Sequence, residues 1–245
     1  MTMFNINRYA TPRLVAEAIT DLLRQKYLEH KVHSPEEPYT IALSGGSTPL
    51  SLLHYWEERV EMLREMDVHF FWVDERMVSY DSNESNYGEA ARAFFDRSGI
   101  SPNRIHPITP SSLTADSAQE YSEQLSRFSS QYQKKKAIDF LLLGIGGDGH
   151  TSSLFPGQED SYSVERLFIA SINPQTKVER VALSMYGILH ESDTILFHLL
   201  GEKKREILQE VLSSTAPSHE ESLLPSAYVI AHAQKPVDIY TDISV

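Results

Sequence analysis

Cysteine is missing from the sequence. That excludes disulfides and thiolate zinc sites, and it is compatible with a reducing compartment, so the expected location is the cytoplasm. No apolar run approaches the roughly 18 residues of a membrane span. The start, MTMFNINRYATPRL, lacks the charged-then-apolar layout of a secretion signal. Positive charge is in short supply: 22 Lys and Arg stand against 34 Asp and Glu, a net charge of −12. A basic surface for non-specific nucleic-acid binding is therefore not expected. An anionic small molecule is still admissible, because it needs only local positive potential from helix N-termini and a few Lys or Arg. Glycine is also scarce, with 11 in 245 residues.

Four of those glycines crowd into six positions: Gly144, Gly146, Gly147 and Gly149. They follow Phe140, Leu141, Leu142 and Leu143, an apolar run that suits a strand buried on both faces of a parallel sheet. Glycines there allow positive φ and close approach of a ligand to the main chain. Asp148 and His150 sit among them as groups capable of proton chemistry. Thr151, Ser152 and Ser153 follow, suited to starting a helix or donating hydroxyl hydrogen bonds. The letters 144–149 formally satisfy G-x-G-x-x-G, but a dinucleotide fingerprint needs a long helix straight after it. Phe155-Pro156-Gly157 breaks the chain first. A plain structural turn with an incidental histidine is the bland alternative. A catalytic turn at a strand's carboxyl end is the favoured one.

The rest of the chain alternates strand and helix patterns. A helix is predicted over 11–30, with Thr11-Pro12 as its start and a stripe of Leu14, Ala18 and Leu22 beside Val15, Ile19 and Leu23. Strands are predicted at Tyr39–Leu43, His69–Val73, Arg104–Pro107, Phe168–Ser171, Arg180–Ser184, Thr194–Leu200, Ala227–Ala231 and Val237–Tyr240. Helices are predicted from Pro49 to about Glu65, from Asn86 to near Arg97, over 114–136 and over 202–213, with a polar loop at 214–222. Lys134-Lys135-Lys136 would close the third of these as a cationic C-terminus. This alternation implies an α/β fold: a doubly wound, mostly parallel sheet with helices on both faces, in one domain over 1–245.

Three further constellations matter. SGGSTP, Ser44 to Pro49, lies between a strand and a helix, an arrangement that makes an anion cradle from main-chain N–H groups and the helix dipole. It lacks the Walker lysine, so it is not a nucleotide-triphosphate loop. In WVDER, Asp74 and Arg76 share a side if the strand continues; a surface ion pair is the bland alternative. Arg180 and Lys204 each lie near a strand end, where solvation would be the ordinary fate. His69 and His198 lie within strands and read as core or edge residues. No histidine pair has a zinc spacing such as H-E-x-x-H, so no metal is expected.

Taken together, the central run closely resembles the GxGxDGHTxSLFP signature of the 6-phosphogluconolactonases, relatives of the glucosamine-6-phosphate deaminases. Also similar are the phosphate loop, the W-x-DER element, Ser85-Asn86-Tyr87-Gly88, the R-V-x-L strand headed by Arg180, and the G-x-x-K element ending at Lys204. The resemblance implies a sugar-phosphate-isomerase-type fold. It also implies hydrolysis of 6-phospho-D-glucono-1,5-lactone in the pentose phosphate pathway, with no cofactor and no nucleic-acid or membrane partner. It makes Gly45, Gly46, Ser47, Arg76, Asn86, Arg180 and Lys204 substrate or phosphate contacts. His150 becomes the general base, with Asp148 or Asp74 orienting it or the substrate. The sequence departs from the family pattern at Met185–Ile188 and over Leu223–Val245. The deaminases carry an asparagine-glutamate stretch after the histidine; Thr151–Phe155 is TSSLF, without a carboxylate, which favours the lactonase. A non-catalytic sugar-phosphate regulator would need the cradle but no base.

Overall fold

The computed structural model describes residues 3–215 and 224–244. The strands are β1 (Phe4–Arg8), β2 (Tyr39–Leu43), β3 (Val68–Trp72), β4 (Asp74–Arg76), β5 (Ile105–His106), β6 (Ile138–Leu143), β7 (Phe168–Ile172), β8 (Glu179–Leu183), β9 (Ser192–Leu199) and β10 (Val237–Thr241). The helices are α1 (Pro12–His33), α2 (Ser47–Glu57), α3 (Val60–Glu65), α4 (Asn86–Ala90), α5 (Asp96–Ser98), α6 (Thr114–Gln131), α7 (Met185–His190), α8 (Arg205–Ser214) and α9 (Pro225–His232).

Seven strands form one sheet in the order β1-β10-β9-β6-β2-β3-β5, and every pairing is parallel. β2 and β6 are buried at every position, in keeping with their largely apolar sequences. Asp139 is the polar exception in β6. Its carboxylate accepts from the Thr40 N–H at 2.7 Å, the Thr40 hydroxyl at 2.8 Å and the Lys134 ammonium at 2.7 Å.

The strand order decides where the site lies. The chain builds outward from β2 to β3 and β5, then returns to place β6 on the other side of β2. This reversal leaves a crevice at the carboxyl ends of β2 and β6, the usual ligand position in open α/β sheets. Leu43 and Leu142 are in register across it, and the Ser44 N–H donates to the Leu142 carbonyl at 3.2 Å. SGGSTP and the glycine run are thus neighbours, although about a hundred residues separate them.

A second, antiparallel sheet, β4-β8-β7, stands over the same end. Val73 joins the two sheets: its N–H donates to Leu43 at 2.9 Å, and its carbonyl accepts from Leu183 at 2.7 Å. The strand expected over His69–Val73 is β3, and the chain beyond it resumes after Val73 as β4 in the other sheet.

Several expectations need correction. Ala227–Ala231 is the middle of helix α9, not a strand. Its run of small and apolar residues is buried on the α7 and α8 side, and a short apolar run does not reveal its own period. The helix expected from Pro49 begins at Ser47 and divides at Glu58-Arg59 into α2 and α3. Helix α6 stops at Gln131, so the lysine run does not cap it. The Lys134 ammonium turns inward to Glu37 Oε1 at 2.8 Å and Asp139, because two buried carboxylates attract it more than a helix end does. Helix α1 buries Val15, Ala16, Ile19 and Leu23, while Leu14 lies outside the stripe. Strand β1 and helix α7, where Met185–Ile188 lie, had no prediction. Positions 216–222 of the predicted polar loop lie outside the described residues.

Candidate active site

A pocket of about 310 Å³ opens at the crevice between the two sheets. Every position singled out from sequence lines it except Asp148, which stands behind the His150 ring: Gly45, Gly46, Ser47, Asp74, Arg76, Asn86, His150, Arg180 and Lys204.

Backbone hydrogen bonds fix the glycine turn before any side chain matters. The Gly146 N–H donates to the His150 carbonyl at 2.8 Å, and the Gly149 N–H to the Gly146 carbonyl at 3.1 Å. Gly149 has φ +78, and a Cβ there would come 2.7 Å from Leu224. At Gly146 a Cβ would lie 2.1 Å from the His150 ring. Glycine is required because the imidazole occupies the space a side chain would fill. No helix follows. Ser152 and Ser153 take φ of 52 and 54, a left-handed conformation unfavourable by about 1–2 kcal/mol per residue. Their hydroxyls hold them there. Ser152 donates to the Leu183 carbonyl at 2.7 Å, and Ser153 donates to the Asp74 carboxylate.

His150 Nδ1 lies 2.5 Å from Asp148 Oδ1, and the His150 N–H donates to the same oxygen at 3.2 Å. Burial would raise the Asp148 carboxyl, but the charge and hydrogen bonds of His150 outweigh it and hold the group below its ordinary value. With Nδ1 engaged, Nε2 is the ring nitrogen left for chemistry. Phe155 packs against the ring at 4.7 Å between centroids. Asp148, not Asp74, is therefore the partner of the imidazole. Asp74 accepts from Ser153 and from Asn86 Nδ2 at 3.1 Å, and lies 3.9 Å from Arg180.

Strand alternation sends Asp74 and Arg76 to the pocket and Glu75 the other way. Glu75, which sequence reading passed over, is fully buried. It accepts from the N–H groups of Arg76, Asn86 and Tyr87 and from the Ser85 hydroxyl, at 2.7 to 2.9 Å. Burial raises its carboxyl, with these donors opposing. It ties the start of α4 to β4 and so places Asn86. The Asn86 amide in turn occupies the space above Gly45, where a Cβ would meet Oδ1 at 1.9 Å. The D-E-R and S-N spacing was the signal available for Glu75, since alternate residues of a strand face opposite ways.

Arg76 and Arg180 are register partners on β4 and β8. Arg76 donates to the Glu84 carbonyl at 2.5 Å and Arg180 to the Ser153 hydroxyl at 3.1 Å. The Nε of each is buried without a partner among the described residues. Burial, then repulsion from Arg76, lowers the Arg180 guanidinium, with Asp74 opposing. Burial likewise lowers Lys204, whose ammonium donates to the Ile145 carbonyl at 2.8 Å. Cations that their surroundings disfavour, with donors still unpaired, are placed to gain from an anion. The N-terminus of α2 faces them across Gly46, whose φ is +99. Lys203 is exposed, and Arg205 pairs with Glu202 on the surface.

His198, read from sequence as a core or edge residue, also lines the pocket. Burial drives its imidazole down to about 3, and neither ring nitrogen has a partner among the described residues. The only cluster of metal-ligand type among those residues, His30, Glu37 and Asp139, lies at the opposite end of the sheet, with the Lys134 ammonium already bound to both carboxylates. No described helix is long and apolar enough to cross a membrane.

A doubly wound α/β scaffold with a cationic pocket at its switch point, and a carboxylate-paired histidine on the pocket wall, defines a protein built to act on a small anionic substrate. Residues 10–238 match the family described as glucosamine-6-phosphate isomerases/6-phosphogluconolactonase, and the chain belongs to that family. It is 35% identical to the 6-phosphogluconolactonase of Nostoc sp. over 193 residues, covering 78% of this chain and 77% of that one. It is 31% identical to the 6-phosphogluconolactonase of Haemophilus influenzae over 208 residues, covering 82% and 84%. Among solved structures, it resembles 6-phosphogluconolactonase from Trypanosoma brucei with a TM-score of 0.77 at 27% identity, covering 97% of this chain and 95% of that one.

Proposed function

We propose that the chain is a 6-phosphogluconolactonase, hydrolysing 6-phospho-D-glucono-1,5-lactone to 6-phospho-D-gluconate in the pentose phosphate pathway, with His150 as general base. The observation that carries this reading is the His150–Asp148 pair on the wall of the pocket that also holds Arg76, Arg180, Lys204 and the Gly45–Ser47 loop. The curated relatives bearing this name support the reaction, and residues 1–245 are read as a single domain with one core.

In this mechanism the phosphate binds between the α2 N-terminus and the cationic side chains. His150 Nε2 takes a proton from water as the water oxygen adds to the lactone carbonyl. Asp148 keeps Nδ1 protonated and stabilises the imidazolium. The tetrahedral intermediate then collapses, the bond from C1 to the ring oxygen breaks, and His150 returns the proton to that oxygen. The Gly146 and Gly149 N–H groups are engaged within the turn; the Gly147 N–H, which donates to no turn or loop carbonyl among the described residues, serves the oxyanion. Asp74 and Asn86 hold the sugar hydroxyls.

The test is a coupled assay in which glucose-6-phosphate dehydrogenase makes the lactone in place, with spontaneous opening as baseline. Acceleration by the wild-type chain, reduced about 10²–10⁴-fold in His150→Ala, is expected. Unchanged turnover in His150→Ala would remove the base assignment. Ammonia release from glucosamine 6-phosphate would replace the lactonase reading with that of the deaminases.

A further inference from the structure

The peptide that launches the His150 side chain is held from both edges. Its N–H donates to Asp148 Oδ1 at 3.2 Å. Its carbonyl, that of Gly149, accepts two bonds from one distant residue: the Ser226 N–H at 3.1 Å and the Ser226 hydroxyl at 2.8 Å. Ser226 is fully buried and stands in the first turn of α9, behind Pro225. Leu224, just before that helix, packs on Gly149 where any side chain at 149 would sit.

All other restraints on His150 come from its own turn or nearby: Asp148 on the ring, Gly146 on the carbonyl, Phe155 on the ring face. Ser226 reaches in from 77 residues away and bonds the peptide itself. Gly149 has a positive φ and no Cβ, so backbone sterics restrain its peptide plane less than at a residue with a side chain, and hydrogen bonds must hold it. A rotation of that plane would move the imidazole relative to Asp148 and to the pocket. α9 also packs on α7 and α8, which anchor it to the rest of the fold.

We propose that Ser226 is a positioning residue for the reaction: its two donors fix the Gly149–His150 peptide and thereby the direction of His150 Nε2. The claim rests on the lactonase reading for its kinetic consequence but not for its geometry. Misplacing a catalytic group by a fraction of an ångström lowers turnover without weakening ligand binding.

The test uses the full chain with Ser226→Ala, which keeps the main-chain donor and deletes the hydroxyl, and Ser226→Thr, which restores a hydroxyl. Two readouts are taken below the melting temperature of each variant: kcat and KM for the lactone, and the downfield proton resonance of His150 Nδ1–H, assigned by its loss in His150→Ala. Ser226→Ala should lower kcat about ten-fold, leave KM within two-fold, and shift or broaden the resonance; Ser226→Thr should recover part of each. Unchanged kcat with an unchanged resonance overturns the proposal. So does a parallel loss of kcat and ligand affinity with the resonance intact, which marks a merely structural role. If the wild type fails to hydrolyse the lactone yet the resonance moves in Ser226→Ala and returns in Ser226→Thr, the positioning role holds and the reaction reading falls.

Discussion

Gly146 and His150 are in such close contact that a single methyl group on Gly146 would lie 2.1 Å from the ring nitrogen of His150. Gly146→Ala must therefore push the imidazole out of its place beside Asp148. If His150 is the proposed base, a loss in kcat of about 10²–10⁴, comparable to His150→Ala, is expected. Binding of 6-phosphogluconate, measured by calorimetry, should fall much less than kcat, because the substitution displaces the proposed base rather than Arg76, Arg180 or the Gly45–Ser47 loop, the proposed phosphate contacts.

Asp148→Asn keeps the shape and removes the charge. An amide cannot hold the imidazole in the Nδ1–H form or stabilise its protonated state. We expect kcat to fall by about 10²–10⁴ with little change in KM. Because His150 and the turn amides hold the Asp148 carboxyl below its ordinary value, it remains charged well into the acid range. Asp148→Asn should then reduce turnover across the neutral and mildly acid range alike, as a pH–rate profile from 5 to 8 would record.

Arg180→Gln removes a buried guanidinium whose Nε awaits an acceptor. Loss of a charge-assisted bond of about 1.5–3 kcal/mol raises KM for the lactone roughly 10–100-fold. Arg180→Lys should recover little of this, since an ammonium cannot reproduce the planar fork. Hydrolysis of an unphosphorylated gluconolactone should respond much less to either change if Arg180 binds the phosphate.

Three histidines make the fold sensitive to acid. His69 and His106, joined Nδ1 to Nε2 at 2.9 Å, are each lowered to about 4, first by burial; their neighbours modify this, Asp67 partly opposing it at His69. Burial alone lowers His198 to about 3. In the unfolded chain each imidazole titrates near 6.5. The unfolded state thus binds more protons below that value, and stability present above about pH 6.5 is lost as the pH falls towards 4, by about 1.4 kcal/mol per pH unit per group. Urea denaturation midpoints at pH 7 and pH 5 check this. His198→Leu should raise stability at pH 7 by about 1–3 kcal/mol, since it removes two buried nitrogens without partners among the described residues, and should make the acid loss shallower.

The sequence alone specified the parts whose physics is local. Buried strands announced themselves as apolar runs at Tyr39–Leu43 and Phe140–Leu143, glycines marked the turn, and Thr11-Pro12 marked a helix start. The period of two sent Asp74 and Arg76 to one side, which left Glu75 free to tie down α4. Where sequence reading failed, the deciding force was tertiary. Ala227–Ala231 is helical because it packs on α7 and α8, and Lys134 abandons the helix end for two buried carboxylates. Strand order was not legible either: nothing local to SGGSTP or to the glycine run says that β2 and β6 are neighbours. Pairing across about a hundred residues of chain brings the two loops to one crevice, whereas the Asp148–His150 pair forms within the turn itself, two residues apart. Composition and spacing determined which side chains were available for the chemistry and set Asp148 beside His150; only long-range packing, which short windows of sequence do not encode, brought Arg76, Arg180, Lys204 and the Gly45–Ser47 loop around them.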